Sequence, residues 1–268
     1  MIVNTEPAIP YLPVLRGLGG CGGTLVSRVL SALPRVLLLS ETNPRSAHLY
    51  GGMLNPIEQI RKWHPAMAPI VADFDPGEIG YPPRFGALLQ HIHLAAERDN
   101  RVLVVRDFNY ADFIGVPFIW PVPNDLSLDL AIAGCFTPRQ AVIVRHPADQ
   151  LASLRSHAAI RPVLRAERFI EAYHAFLSAT VRAPRFRYED FVTDPANKFS
   201  DLAASLGIPW DPVALDHFSQ VQSVTGNMQK RNETEIKVSA RSAAALDADR
   251  ELNESPGYNI LIETLGYL

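Results

Sequence analysis

The residues best suited to chemistry lie in a glycine-dense run, Arg16-Gly17-Leu18-Gly19-Gly20-Cys21-Gly22-Gly23-Thr24, in which five of the seven positions from Gly17 to Gly23 are glycine. Glycine admits positive φ and close approach of the backbone. Where such a run opens a helix, successive N–H groups and about +0.5 of a charge at the helix start converge on one anion. A phosphate or sulfate cradle formed by Gly17, Gly19, Gly20, Cys21, Gly22, Gly23, Thr24 and Leu25 is therefore expected, although the same glycines would also serve plain strand–helix packing. The spacing Gly17-x4-Gly22-x-Thr24 is that of a Walker A loop, but Gly23 stands at the lysine position, which disfavours ordinary ATP chemistry. A second cluster follows the apolar run Val142-Ile143-Val144. Arg145 ends that run, Pro147 takes the favoured first position of a helix, and Ser153 and His157 follow. A guanidinium fork and a hydroxyl can share one anion, at about 1.5–3 kcal/mol for each charge-assisted contact. Alone, such an arginine serves equally well in a salt bridge.

These groups need elements to hold them. Short apolar runs at Tyr11–Arg16, Val36–Leu39, Val102–Val105, Ala141–Val144 and Arg185–Tyr188 read as strands. Helical patterns cover Thr24–Leu33, Phe85–Arg98, Ala148–His157, Ala166–Thr180 and Ala196–Leu206, the last stopped by Gly207. Most strand runs are continuous rather than alternating, as in a sheet covered on both faces. Strand and helix in turn predict βαβ units and a parallel sheet. Ligands then bind beyond the carboxyl ends of the strands, after Arg16, Leu39, Val105, Val144 and Tyr188.

Composition sets limits. The 268 residues are 47% hydrophobic and 20% charged, enough apolar material for one globular domain over residues 1–268. A net charge of −3 argues against bulk-charge binding of nucleic acid. Cys21 and Cys135 are too few for a disulfide framework, and no Cys/His spacing reads as a metal site. No apolar run approaches the roughly 20 residues of a membrane span. Met1 to Pro7 has no signal-peptide pattern, so a reducing, cytoplasmic setting is expected.

Three blocks in order resemble the sulfotransferase family. Gly17 to Leu30 is similar to its 5′-phosphosulfate loop. Arg145-x-Pro147-x5-Ser153-x3-His157 is similar to its 3′-phosphate motif. Phe186-Arg187-Tyr188-Glu189-Asp190-Phe191-x2-Asp194-Pro195, followed by Leu206-Gly207-Ile208, is similar to its Tyr-Glu-Asp-Leu segment. The resemblance implies an α/β, P-loop NTPase-like three-layer fold with a central parallel sheet flanked by helices. It also implies 3′-phosphoadenylyl sulfate (PAPS) as sulfuryl donor, with 3′,5′-ADP as product and no metal required. Arg145 and Ser153 would bind the 3′-phosphate, Tyr188 would lie near the nucleotide, and Lys230 and Arg231 loosely resemble the basic loop that closes over that phosphate.

The departures concern charge and base. Most sulfotransferases carry Lys or Arg before the loop's Ser-Gly-Thr; here that position is Gly20, Cys21 replaces the Ser and Gly23 a Thr. The compensating cation is expected to be Arg106, with Arg16 and Arg45 as alternatives. Glu41, in Leu39-Ser40-Glu41-Thr42-Asn43-Pro44, resembles the glutamate base of protein-tyrosine and some bacterial sulfotransferases; a turn carboxylate beside Pro44 is the plainer role. Asp107 is a second catalytic candidate, able also to pair with Arg106 or to mimic a Walker B aspartate, and His64 is a third candidate base. Tyr110 and the segment Phe113 to Trp120 could wall an acceptor pocket or pack the core. The acceptor is open: a hydroxyl or amine on a small molecule, sugar, lipid or peptide. The alternatives are a P-loop kinase-like phosphotransferase using ATP and magnesium, or a non-catalytic nucleotide-binding protein.

Overall fold

The structure, a computed structural model, describes residues 9–80, 82–226 and 232–267. Five strands form its sheet: β1 (Tyr11–Arg16), β2 (Val36–Leu39), β3 (Val102–Arg106), β4 (Thr137–Val144) and β5 (Arg185–Arg187). Their order is β2-β3-β1-β4-β5, with every neighbouring pair parallel. The helices are α1 (Gly23–Ser31), α2 (Pro56–Trp63), α3 (Pro82–Arg98), α4 (Asn109–Phe113), α5 (Ser127–Ile132) and α6 (Pro147–Arg155). They continue with α7 (Ala166–Ala179), α8 (Tyr188–Thr193), α9 (Pro195–Leu206), α10 (Ala214–His217), α11 (Ala243–Asn253) and α12 (Tyr258–Thr264).

Strand side chains alternate between faces, and that alternation divides the core. Leu15, Leu38, Val104, Ala141 and Ile143 face a layer that includes α1, α9 and α10. Leu12, Val14, Leu37, Leu39, Leu103 and Val105 face α2, α3 and α5. Val142 and Val144 face a layer built from α6, α7, α11 and α12. Each fully buried Leu or Val contributes about 1.5–3 kcal/mol relative to exposure. Both faces being covered explains why β2, most of β1 and β3, and the second half of β4 are continuously apolar. Three layers and an all-parallel sheet agree with the expected fold.

The expected elements are present, with shifted ends. β4 starts at Thr137, four residues before the apolar run at Ala141, where exposed polar residues pair with β1. β5 stops at Arg187 because Tyr188 already begins α8. α9 ends where Gly207 adopts a left-handed φ of 68°, the conformation glycine supplies at helix ends. Among the described residues, no helix is long and apolar enough to cross a membrane.

Candidate active site

The strand order places the chemistry. With β1 between β3 and β4, the glycine loop leaves β1 flanked by the ends of β3 on one side and β4 on the other. Leu15 is in register with Arg106, and Arg16 with Val142. Arg106 and Glu41 therefore approach the loop from one side and Arg145 from the other.

Most of the loop's amides are not bonded within the protein. Cys21 N–H closes a turn onto the Leu18 carbonyl (3.2 Å), and Gly17 N–H donates to Asn109 Oδ1 (3.3 Å). Among the described residues, the amides of Gly19, Gly20, Gly22 and Thr24 have no protein acceptor, and that of Gly23 faces the Cys21 thiol. Gly23 and Thr24 belong to the start of α1, where a helix leaves its first N–H groups without intrahelical partners. Four such amides suit an anionic group. Cys21 does not point into this space: its thiol is buried and lies beneath Gly17, where a Cβ would come within 2.6 Å of Sγ. Burial pushes that thiol's pKa up.

Arg106 stands where the sequence lacks a lysine. A Cβ placed on Gly23 would meet its guanidinium at 2.8 Å. Arg106 Nη2 donates to Glu41 Oε1 at 2.8 Å, and Nη1 lies 3.5 Å from Ser27 Oγ. Glu41 is set there by a strained turn with φ 54°, uncommon for a residue other than glycine. Gln59 braces that turn by bonding the Ser40 N–H (2.8 Å) and carbonyl (2.6 Å), and Thr42 N–H donates to the Arg106 carbonyl (2.8 Å).

On the opposite side, Arg145 Nη1 donates to the Gly20 carbonyl at 3.3 Å, and its guanidinium lies 4.9 Å from the centre of the Tyr188 ring. Ser153 also reaches this side: its Cβ would be 3.3 Å from a Cβ on Gly20. His157 is exposed at the end of this motif. Tyr188 packs directly on Gly22, leaving no room for a side chain there. Glu189 has a supporting role, accepting from His146 N–H at 3.0 Å and from the Tyr267 hydroxyl at 2.6 Å.

Several expectations fall elsewhere. Arg106 pairs with Glu41, not with Asp107. Asp107 is fully buried under the loop, in an ion pair with Arg16 (2.5 Å) and hydrogen-bonded by Asn43 and Asn109 (2.8 Å each). Burial pushes its pKa up, while the Arg16 charge opposes that shift. Since Asn109 also receives the Gly17 N–H, Asp107 supports the loop instead of facing a reacting group. Arg16 is further held by Asp129 and Gln140, and Arg45 by Asp112 and Asp125, so neither faces the cradle as a compensating cation. His64 lies beside Arg101, near the amino ends of β2 and β3 and away from the loop; burial lowers its pKa to about 4. Lys230 and Arg231 lie outside the described residues. The chain leading to them comes close: Thr225 bonds Ser40 Oγ, and a Cβ on Gly226 would lie 2.2 Å from Thr24 Oγ1.

Phe113 belongs to the core against Phe176 (5.5 Å), and Trp120 is exposed. The rings beside the loop are Phe108, Tyr110, Phe118 and Tyr50, linked by centroid distances of 5.7, 6.4 and 5.4 Å. Tyr110 touches Gly19, where a Cβ would be 3.0 Å from its ring. Sequence reasoning missed Tyr50, which lies far along the chain from this segment. It also missed Lys237 and Arg241, which line a cleft of ≈ 270 Å³ with Arg145 and Tyr188. Arg241 reaches that cleft by pairing with Asp149 (3.1 Å) and Asp249 (3.4 Å); no glycine near residues 237–241 marks it in the sequence.

Two solved structures share this architecture over nearly their full length. The sulfotransferase domain of the Synechococcus PCC 7002 olefin synthase superposes with a TM-score of 0.51 at 14% identity, covering 93% of this chain and 97% of that one. The sulfotransferase domain from the curacin biosynthetic pathway gives 0.53 at 14% identity, covering 98% and 99%. The fold is that of the sulfotransferases. No family model matches the sequence, and no curated protein does. Within this sulfotransferase fold, the three sequence blocks lie together at the carboxyl edge of the sheet. Gly17–Thr24 forms the centre, Arg145 and Ser153 border it at Gly20, and Tyr188 covers Gly22.

Proposed function

We propose that the chain is a PAPS-dependent sulfotransferase acting on a hydroxyl or amine of its acceptor. One arrangement carries this reading: four amides without a protein acceptor among the described residues lie between two guanidinium groups, Arg106 at Gly23 and Arg145 at Gly20. Backbone amides and guanidinium forks bind oxyanions without a metal. When bound, PAPS supplies the sulfuryl group and leaves as 3′,5′-ADP.

The protein's part is positioning and charge stabilisation, as in phosphoryl transfer. Gly17 to Leu25 holds the 5′-phosphosulfate end. Arg145 and Ser153 hold the 3′-phosphate end, with Tyr188, Lys237 and Arg241 around the same cleft. Arg106 offsets negative charge gathering at the loop, in a partly buried setting where such charge stabilisation is strongest. Glu41 receives the acceptor's proton on Oε2, while Arg106 holds Oε1 and fixes the carboxylate's direction. Tyr50, Phe108, Tyr110 and Phe118 give the acceptor an apolar wall.

Calorimetric titration with 3′,5′-ADP tests this. The parent protein should bind it, and Arg145→Ala should weaken binding roughly tenfold or more, the loss of a charge-assisted contact. No binding by the parent, or an undiminished Arg145→Ala variant, overturns the proposal. Magnesium-dependent ATP binding tighter than PAPS binding would favour a phosphotransferase instead.

A further inference from the structure

Gln150 is completely buried on α6, and its side chain is bound at both ends. Its Nε2 donates to the carbonyls of Leu18 (3.2 Å) and Gly19 (2.9 Å). Its Oε1 accepts from the Tyr173 hydroxyl at 3.1 Å, and that hydroxyl lies 3.4 Å from the Arg145 carbonyl. The Leu18 and Gly19 carbonyls can only accept, which fixes the amide with its nitrogen toward the loop and its oxygen toward the Tyr173 hydroxyl. Gly20 packs on the same residue: a Cβ there would come within 2.9 Å of the Gln150 carbonyl and 3.3 Å of its Cγ.

A trans peptide sets each carbonyl opposite the N–H of the next residue. Drawing the Leu18 and Gly19 carbonyls toward α6 therefore turns the N–H groups of Gly19 and Gly20 away from it. Those are two of the four amides with no protein acceptor among the described residues. Gln150 suits this task because one NH₂ group serves two carbonyls at once. Without it, the Gly19 carbonyl would lose its partner and the Leu18 carbonyl would keep only the Cys21 N–H, so the Gly19–Gly20 peptide plane could rotate its oxygen toward a bound anion.

We infer that Gln150 is a positioning residue for the loop end of the donor site, with Tyr173 holding its orientation. This rests on the sulfotransferase reading and concerns the 5′ end of the nucleotide, since the Arg145 guanidinium is not a partner of Gln150. The test compares 3′,5′-ADP with adenosine 3′-monophosphate, which lacks the 5′-phosphate. Gln150→Met keeps side-chain length and apolar packing. It should weaken 3′,5′-ADP binding roughly tenfold, the scale of two lost hydrogen bonds, and leave the monophosphate within about twofold. Equal losses for both ligands, or no loss for 3′,5′-ADP, overturn the inference. If Gln150→Met fails to fold, Tyr173→Phe, which removes one oxygen, is judged by the same split with a smaller effect. A parent protein that binds neither nucleotide overturns the sulfotransferase reading, and this inference with it.

Discussion

A methyl group at position 23 and the Arg106 guanidinium would compete for one space. Gly23 has no left-handed backbone, and the atoms it would meet are the far end of a flexible side chain. Gly23→Ala should therefore change stability by less than about 1 kcal/mol, while displacing the cation and lowering sulfuryl transfer roughly tenfold or more. Melting curves and a labelled-PAPS assay on the same preparation check both halves. Gly22 differs: its φ is 93° and the Tyr188 ring would lie 2.0 Å from a Cβ, so alanine there should damage the fold itself. Both partners of the first contact were visible in the sequence, a missing lysine at 23 and an arginine at 106. Arg106 was expected to supply the loop's missing charge, but its placement against Gly23 itself depends on β3 lying beside β1. The same limit explains Asp107. Its place at a strand end was legible, but its capture by Arg16 beneath the loop needed the tertiary register.

One tie between the C-terminal segment and the site runs through Tyr267. Tyr267 donates to Glu189, which in turn receives the N–H of His146, next to Arg145. Tyr267→Phe should cost about 1.5–3 kcal/mol, the range for a hydrogen bond to a charged group, seen as a lower denaturation midpoint. A midpoint matching the parent's would show that the tie contributes nothing. The helices that feed it were hard to read from sequence. α11 buries only Ala245, Ala248 and Leu252, a stripe of small residues with little apolar contrast. α4 and α5 have five and six residues, too short for a helical period to show. β1, β2, β3 and the second half of β4 were legible because both faces are buried and nearly every residue is apolar. Gln150 was passed over for the opposite reason, since a polar residue on a helix reads as solvent-facing until its partners are known.

Across the molecule, a buried network beneath the loop links folding to pH. Burial is the main cause that raises the Asp112 carboxyl to about 7, followed by the nearby Asp107 charge; Ser127 and Arg45 act in the other direction. In the unfolded chain it returns to the ordinary carboxylate range near ~4. Between those values the folded form keeps a proton that the unfolded form has released. Its stability contribution is thus present below pH ~4 and is lost as pH rises through about 7. Denaturant melts from pH 4 to 8 should show a flatter dependence for Asp112→Asn; an unchanged slope would exclude Asp112 as its source. At this scale the sequence conveyed the alternating βα pattern, the parallel sheet and the sheet edge where the candidate site residues meet. Strand order was not legible, because it is set by which layers bury which faces. That order makes the proposed anion site a three-piece device: the loop comes from one strand, and a guanidinium from each neighbour, Arg106 on β3 and Arg145 just after β4. An engineer who grafts residues 17–24 into another scaffold would transplant only the cradle, and the graft would stay uncharged unless the tips of β3 and β4 travelled too.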